Sequence, residues 1–325
     1  MSSLYPLRFA PIFKERIWGG NKLKQVLKKN IQTDLIGESW ELSDVEGDVS
    51  IVQNGALKGQ SLREVLKKHK GELVGQKNYQ KFGDTFPLLI KFIDAREDLS
   101  IQVHPDDALA QKRHQTFGKT EMWYVMQAEK NAKLIVGFEK SVNKEVYQKS
   151  LGKNCLTDLL HYESVDTGDT FFIKTGTIHA VGAGILLAEI QQTSDITYRV
   201  YDFNRKDKNG NTRELHTELA LEAINYSGNR DFKVDYTKIL NQPNQMVACP
   251  YFVTNLIPVS GEVHLDLTTN DSFKIYMVVS GEVQFTCESE EQNLKVGEII
   301  LIPASQKSIV LKAENADVLE VYVPD

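Results

Sequence analysis

The spacing of apolar and polar positions divides the chain into many short strands interrupted by a few helical stretches. Residues 7–11 and 39–43 alternate weakly and predict short strands within an otherwise irregular first part. Ser61-Leu62-Arg63-Glu64 has the form of a capping box, which predicts a helix running to about Lys68. Pro87 then leads a mostly apolar run to Ala95, the pattern of a buried strand. Residues 107–115 are charged and rich in Ala and Gln, and predict a helical turn. Strands are expected at 121–127 and 132–138. Between 141 and 161 the rhythm changes: Val142, Val146, Leu151, Leu156, Leu159 and Leu160 suggest helical spacing, broken at Gly152. Strands resume at 169–174, 184–192 and 197–203, followed by a turn at 207–211 and a helix over 214–225. A passage rich in Pro, Asn and Gln at 241–244 separates the last part, which from 251 to 323 holds only short β runs and turns.

Composition changes this picture little. At 325 residues, two or three packed modules are expected. Apolar content of 41% and charged content of 25% are ordinary for a globular protein that buries a large core. A net charge of −6, with no basic face, argues against a nucleic-acid partner. Cys155, Cys249 and Cys287 are odd in number, far apart and form no C-x-x-C, which fits a reducing compartment and argues against thiolate metal ligation. With no apolar leader core and no run of membrane-span length, the expectation is a cytoplasmic protein without membrane attachment, monomeric or weakly homo-oligomeric.

Candidate chemistry centres on Gln102-Val103-His104-Pro105. On a strand, side chains two apart share a face, so Gln102 and His104 point together. Pro105 has no N–H and should end the strand there. Glu121 lies seventeen residues on, in a second strand-like run, and His179 follows a Gly turn at 175–177. Two imidazoles, a carboxylate and an amide oxygen form an N/O set suited to a divalent metal, zinc first. His69, His114, His161, His216 and His264 lack such company, and Asp106 and Asp107 are expected to cap a helix.

The two β-rich parts share a spacing. Gly168, Lys174, Gly176 and His179 are matched by Gly297, Pro303, Ser305 and Ser308. This resembles the second motif of the cupin family: Gly, five residues, Pro-x-Gly, two residues, His. The second copy has Ser308 where a ligand His would stand, so it is expected to be a metal-free barrel. The fold expectation is mainly β, with two cupin-like jelly-roll barrels. Residues 1–240 form a catalytic domain with helical insertions at about 59–75, 141–162 and 212–226, and residues 241–325 form the C-terminal cupin-like domain.

Several segments together resemble the type I mannose-6-phosphate isomerase (phosphomannose isomerase) family in its short bacterial form. They are Ser100–Asp106, Gly118–Trp123, Gly176–Ala180, and Ser194-Asp195 through Arg199, with residues 16–20 and 37–43 also similar. The resemblance covers most of residues 5–205, and the C-terminal part only in general character. It implies one zinc ion per chain on Gln102, His104, Glu121 and His179, and active-site roles for Arg199, Glu189 and Lys119. It implies a phosphate contact at Ser100 and a basic residue at Arg205; Lys91 is a further phosphate candidate. The activity implied is interconversion of mannose 6-phosphate and fructose 6-phosphate, an aldose–ketose isomerisation through a cis-enediol(ate), on a small sugar phosphate. Arg199 suits stabilisation of developing oxyanion charge because it stays protonated, and Glu189 ranks above Lys119 as the base. The residues alone also admit an Fe(II) cupin oxygenase or a non-enzymatic metal-binding cupin.

Overall fold

A computed structural model describes residues 4–206, 209–288 and 290–324; the turn expected at 207–211 begins outside them. The chain is mainly β, in four layers. A six-stranded antiparallel sheet runs in the order Ile12–Gly20, Ile36–Leu42, Leu88–Ala95, Ile185–Gln192, Glu121–Ala128, Thr170–Ile173. Facing it is a five-stranded sheet in the order Tyr198–Tyr201, Ile101–Val103, His179–Val181, Lys133–Phe138, Leu160–Ser164. Trp18, Ile93, Val125, Leu187, Val136 and Val181 meet between them. The outer face of the five-stranded sheet carries Ile101, Val103, Ala180, Tyr198 and Val200, covered by Tyr147, Leu156, Leu221 and Ile224 from the helical segments.

The six-stranded sheet is buried on both faces. Along Glu121–Ala128, Met122, Tyr124 and Met126 face one way and Trp123 and Val125 the other, as the two-residue period requires. The first set packs on Leu256, Ile275, Met277, Leu319 and Val321 of a C-terminal sheet. Strands Leu88–Ala95 and Ile185–Gln192 are therefore buried at every position.

In the C-terminal sheet the strands Val253–Asp266 and Ser308–Tyr322 pair along their length, with an irregularity between Val259 and Gly261. One end of Ser308–Tyr322 pairs with Lys274–Ser280 and the other with Glu282–Cys287. Tyr276, Val278, Val283, Phe285, Leu311 and Val318 form a separate core there. Both sandwiches are compatible with a jelly roll, although their sheets stay open rather than closing into barrels. The internal repeat has a structural counterpart. Gly168 and Gly297 both take positive φ (+93° and +85°), strands follow at Thr170–Ile173 and Ile299–Ile302, and the next strands begin at His179 and Ser308.

The Ser61/Glu64 capping box is fully formed at the start of Leu62–His69. Helical structure then continues through Gly71–Val74 and Gln76–Phe82, past the expected end at 75. The insertion expected at 141–162 is shorter than that. Its helix is Lys144–Gly152, and Leu160–Ser164 is an edge strand paired with Lys133–Phe138. A short 3-10 helix at Leu156–Leu159 accounts for the helical spacing, and Leu160 is the one buried side chain of the strand that follows. The strand Ile12–Gly20 lies just beyond the weak pattern at 7–11, and its irregular pairing with Ile36–Leu42 blurs the alternation.

Candidate active site

The site lies at one end of the space between the two facing sheets. Register builds it. Gln102 pairs with Arg199 on one neighbouring strand and with His179 on the other, so the three lie in a row. Opposite, Glu189 pairs with Lys91 on one side and Trp123 on the other, and Gln191 pairs with Glu121. His104 stands one residue past the strand Ile101–Val103, on the same side as Gln102. Asp106 caps the helix Asp107–His114 as expected, accepting from Leu109 N–H, whereas the Asp107 carboxylate accepts from Gly118 N–H, Gln192 Nε2 and Tyr251 OH instead of capping.

His104, Glu121 and His179 are buried, with ligand atoms all within 4.8 Å of one another. His104 Nε2 lies 3.5 Å and His179 Nε2 3.3 Å from the Glu121 carboxylate. His104 Nδ1 lies 2.9 Å from the Ile196 carbonyl and His179 Nδ1 2.8 Å from that of Thr177. A carbonyl can only accept, so these bonds put the proton on Nδ1 and leave the Nε2 lone pairs facing Glu121. Burial lowers both imidazoles, His179 to about 4 and His104 well below its ordinary value, so both are neutral at physiological pH. His104 Nε2 and both Glu121 oxygens are buried without a hydrogen-bond partner. Such orphans are costly in a folded protein, and a cation between them would satisfy all three. The donor set therefore fits a divalent metal. Gln102 Nε2 lies 3.4 Å from His179 Nε2; a half-turn of the amide would present its oxygen instead.

Beside this cluster opens a cavity of about 480 Å³, lined by Gln102, Lys119, Glu189, Lys91, Ser100 and Arg199 among others. Its buried charges alternate. Lys119 Nζ is 3.2 Å from Glu121 Oε2, and Lys91 Nζ donates to Glu189 Oε2 at 2.9 Å and to Gln191 Oε1 at 2.7 Å. Trp123 Nε1 donates to the other Glu189 oxygen at 3.0 Å, so both oxygens are engaged. Burial alone would raise the Glu189 carboxyl, but Lys91, Lys119 and these bonds hold it at about 2. Burial pushes Glu121 up to about 7, with Lys119 pulling against it and Glu189 adding to it. Lys119 is held above the ordinary lysine value: burial favours the neutral amine, but Glu121 and Glu189 outweigh it.

Arg199 donates from Nε to Ser100 Oγ at 3.3 Å and from Nη1 to the Glu214 carbonyl at 2.9 Å. Glu189 pairs with Lys91 rather than with Arg199. Lys91 is occupied at the base of the cavity. Arg205, expected at the phosphate, is not among the cavity's lining residues. Its guanidinium is tied to the carbonyls of Asp202 and Asp98 and to the Asp202 carboxylate. Sequence reasoning missed Arg16 and Arg213, both of which line the cavity. Arg16 Nε donates to Glu38 at 2.6 Å, and Glu38 also accepts from Trp40 Nε1 at 2.7 Å. Glu38 and Trp40 fall in the 37–43 segment already singled out, and Arg16 opens the 16–20 segment, so the signal was present without a role. Arg213 sits in an irregular stretch that no motif marked.

Comparison with known proteins agrees with this geometry. The model described as "Phosphomannose isomerase type I, catalytic domain" matches residues 7–135, and "Mannose-6-phosphate isomerase, cupin domain" matches residues 243–323. The mannose-6-phosphate isomerase of Streptococcus mutans is 34% identical, over 93% of this chain and 94% of that one. The chain belongs to the type I phosphomannose isomerase family. A second family member, mannose-6-phosphate isomerase ManA of Bacillus subtilis, is 36% identical over 92% of this chain and 93% of its own. The crystal structure of the mannose 6-phosphate isomerase from Bacillus subtilis superposes with a TM-score of 0.88 at 32% identity, covering 98% of this chain and 99% of that one. Among the described residues, no helix is long and apolar enough to cross a membrane.

Proposed function

We propose that the chain interconverts mannose 6-phosphate and fructose 6-phosphate by moving a proton between C1 and C2 through a cis-enediol(ate). The observation that carries this reading is the His104–Glu121–His179 cluster, in which His104 Nε2 and both Glu121 oxygens lack hydrogen-bond partners, beside a cavity lined by arginine and lysine. Gln102, His104, Glu121 and His179 would hold one zinc ion per chain. The N/O donor set suits it, and bound there it would supply Lewis acidity to the sugar oxygens. Arg199, anchored by Ser100 and the Glu214 carbonyl, keeps a positive charge where oxyanion character develops. The Ser100 hydroxyl, which also lines the cavity, offers a donor to the phosphate.

Proton transfer falls to Lys119 or Glu189. Both Glu189 oxygens already accept hydrogen bonds, from Lys91 and Trp123, which makes the carboxylate a poor acceptor of a further proton. Lys119 is likewise held as an ammonium by Glu121 and Glu189, so it enters the cycle as a proton donor to the sugar oxygens, while Glu189, ranked first from the sequence, fixes Lys91 and Trp123 around it. Residues 1–240 carry the catalysis, while 241–325 back the six-stranded sheet without a metal. The setting is the cytoplasm and the partner a small sugar phosphate.

The test is an assay coupling fructose 6-phosphate formation from mannose 6-phosphate to a redox readout, before chelation, after it, and after zinc is restored. Activity lost with chelator and regained with zinc is expected. Folded, zinc-loaded protein without activity would sink the isomerase reading.

A further inference from the structure

We propose that Arg213, held in place by Asp202, is the residue that selects a phosphorylated substrate, with Asp202 as its positioning residue. The proposal rests on the isomerase reading for the identity of the sugar phosphate, and on the geometry of residues 198–206 and 209–216 for the rest.

Just after the strand Tyr198–Tyr201 the chain reverses sharply. Phe203 and Asn204 both take left-handed backbone conformations (φ +53° and +55°), which non-glycine residues adopt at a cost. The reversal brings two guanidinium groups to one buried carboxylate. Asp202 Oδ2 accepts from Arg213 Nε at 2.7 Å, and Oδ1 is shared by Arg213 Nη2 and Arg205 Nη2. Arg205 spends its remaining donors on the Asp202 and Asp98 carbonyls and lies outside the cavity lining. Arg213 Nη1 has no hydrogen bond among the described residues, and the side chain lines the cavity.

The segment carrying Arg213 is fastened at both ends. Lys206 and Thr212 form a bridge, His216 N–H donates to the Arg199 carbonyl at 2.7 Å, and Arg199 Nη1 donates to the Glu214 carbonyl at 2.9 Å. Arg213 is thus built into the wall rather than waving from a loop.

The charge balance points to an anion. Among the described residues, Arg199 bonds to no carboxylate and Asp202 is the one carboxylate paired with Arg205 and Arg213. Arg199 is lowered from its ordinary value by burial and then by the like charge of Arg213, with Arg16 and Arg205 adding to it. Guanidinium groups crowded at one wall of a cavity, beside a serine hydroxyl, form a site for a phosphate dianion that offers forked acceptors to each. Gln102, beside the metal cluster, lines the same cavity as Arg213, so one bound molecule would present its reacting carbons to the former and its phosphate to the latter.

The test uses the full, zinc-loaded chain and reads KM and kcat for mannose 6-phosphate, with inorganic phosphate as competing inhibitor. A charge-assisted contact of this kind is worth a roughly 10- to 100-fold change in affinity. Arg213→Met is expected to raise KM and the phosphate inhibition constant together by that factor, with kcat within about threefold of wild type. Arg213→Lys should recover part of the loss, keeping the charge without the fork. Asp202→Asn should shift KM in the same direction and by less, while Arg205→Met leaves KM unchanged. An unchanged KM in folded Arg213→Met, or an equal rise in Arg205→Met, would overturn the assignment. If the wild-type protein fails to turn over the sugar phosphate, the isomerase reading fails, and calorimetric titration with inorganic phosphate judges Arg213 by itself. Weaker binding in Arg213→Met then supports it, and equal or undetectable binding in both proteins overturns it.

Discussion

Glu121 has two buried oxygens and no hydrogen-bond donor of ordinary geometry for either, although two imidazoles and an ammonium surround it. That is the strongest single indication of a cation site. Outer-sphere partners of metal ligands are worth about 10- to 100-fold in affinity, and a direct ligand more. Glu121→Gln should therefore lose bound metal, read by elemental analysis after dialysis, along with activity. A variant that retains a full equivalent of zinc would show that Glu121 is not a ligand. Lys119 gives a different expectation. Lys119→Met should keep the metal and lower kcat by about 10²- to 10⁴-fold, the usual worth of positioned acid–base catalysis. Should Glu189→Gln lower kcat further than Lys119→Met does, the proton carrier is Glu189 and the occupied oxygens were misleading.

At the scale of elements, the capping box is a clean case of local sequence acting alone. Ser61 Oγ accepts from Glu64 N–H, and Glu64 returns the bond to Ser61 N–H, far from the site. Ser61→Ala should cost about 1 kcal/mol in urea unfolding and leave KM unaltered. The turn after Tyr201 is a tertiary device by contrast. Burial tends to raise the Asp202 carboxyl, but hydrogen bonds from Arg213 and Arg205 outweigh it and hold it below its ordinary 3.8. A depressed carboxyl contributes stability that is present above the unfolded value, near pH 4, and is lost as pH falls through the folded one. The stability gap between wild type and Asp202→Asn should therefore be full at pH 7 and shrink below pH 4 in denaturant titrations. A gap that stays constant down to pH 3 would mean the Asp202–arginine bonds add nothing to stability.

Across the whole molecule, the six-stranded sheet joins the two β sandwiches. Its outward residues, Met122, Tyr124, Leu186, Ala188 and Ile190, share a core with Leu256, Met277 and Leu319 from the C-terminal part. Residues 1–240 expressed alone would expose that face and should aggregate, as judged by soluble yield and size-exclusion profile. A soluble, metal-binding 1–240 fragment would contradict this. Leu319→Ala in the full chain should cost about 2–5 kcal/mol, because the site is fully buried and closely packed. The loss should be read in the unfolding midpoint of the whole chain rather than in a separate C-terminal transition.

The sequence by itself determined whatever depends on neighbours along the chain. A period of two placed Gln102 with His104, and apolar runs bounded by turns laid out the strands around Pro87–Ala95, Glu121 and Glu189. The Ser61–Glu64 spacing placed a helix start, and the Gly168 and Gly297 spacings marked two turns of one kind. The cluster of His104, Glu121 and His179 was legible because segment order and motif spacing carry it. Tertiary structure decided what depends on which strands lie side by side. Cross-strand register gave Glu189 to Lys91 and Trp123, and so set its ionisation; nothing within reach along the chain could foretell partners 98 and 66 residues away. The buried outer face of the six-stranded sheet, the edge strand Leu160–Ser164, and the exchange of Arg205 for Arg213 at the cavity are of the same kind. A side chain's partners are fixed by the sheet's pairing and the path of a loop, and local alternation records only which way that side chain faces.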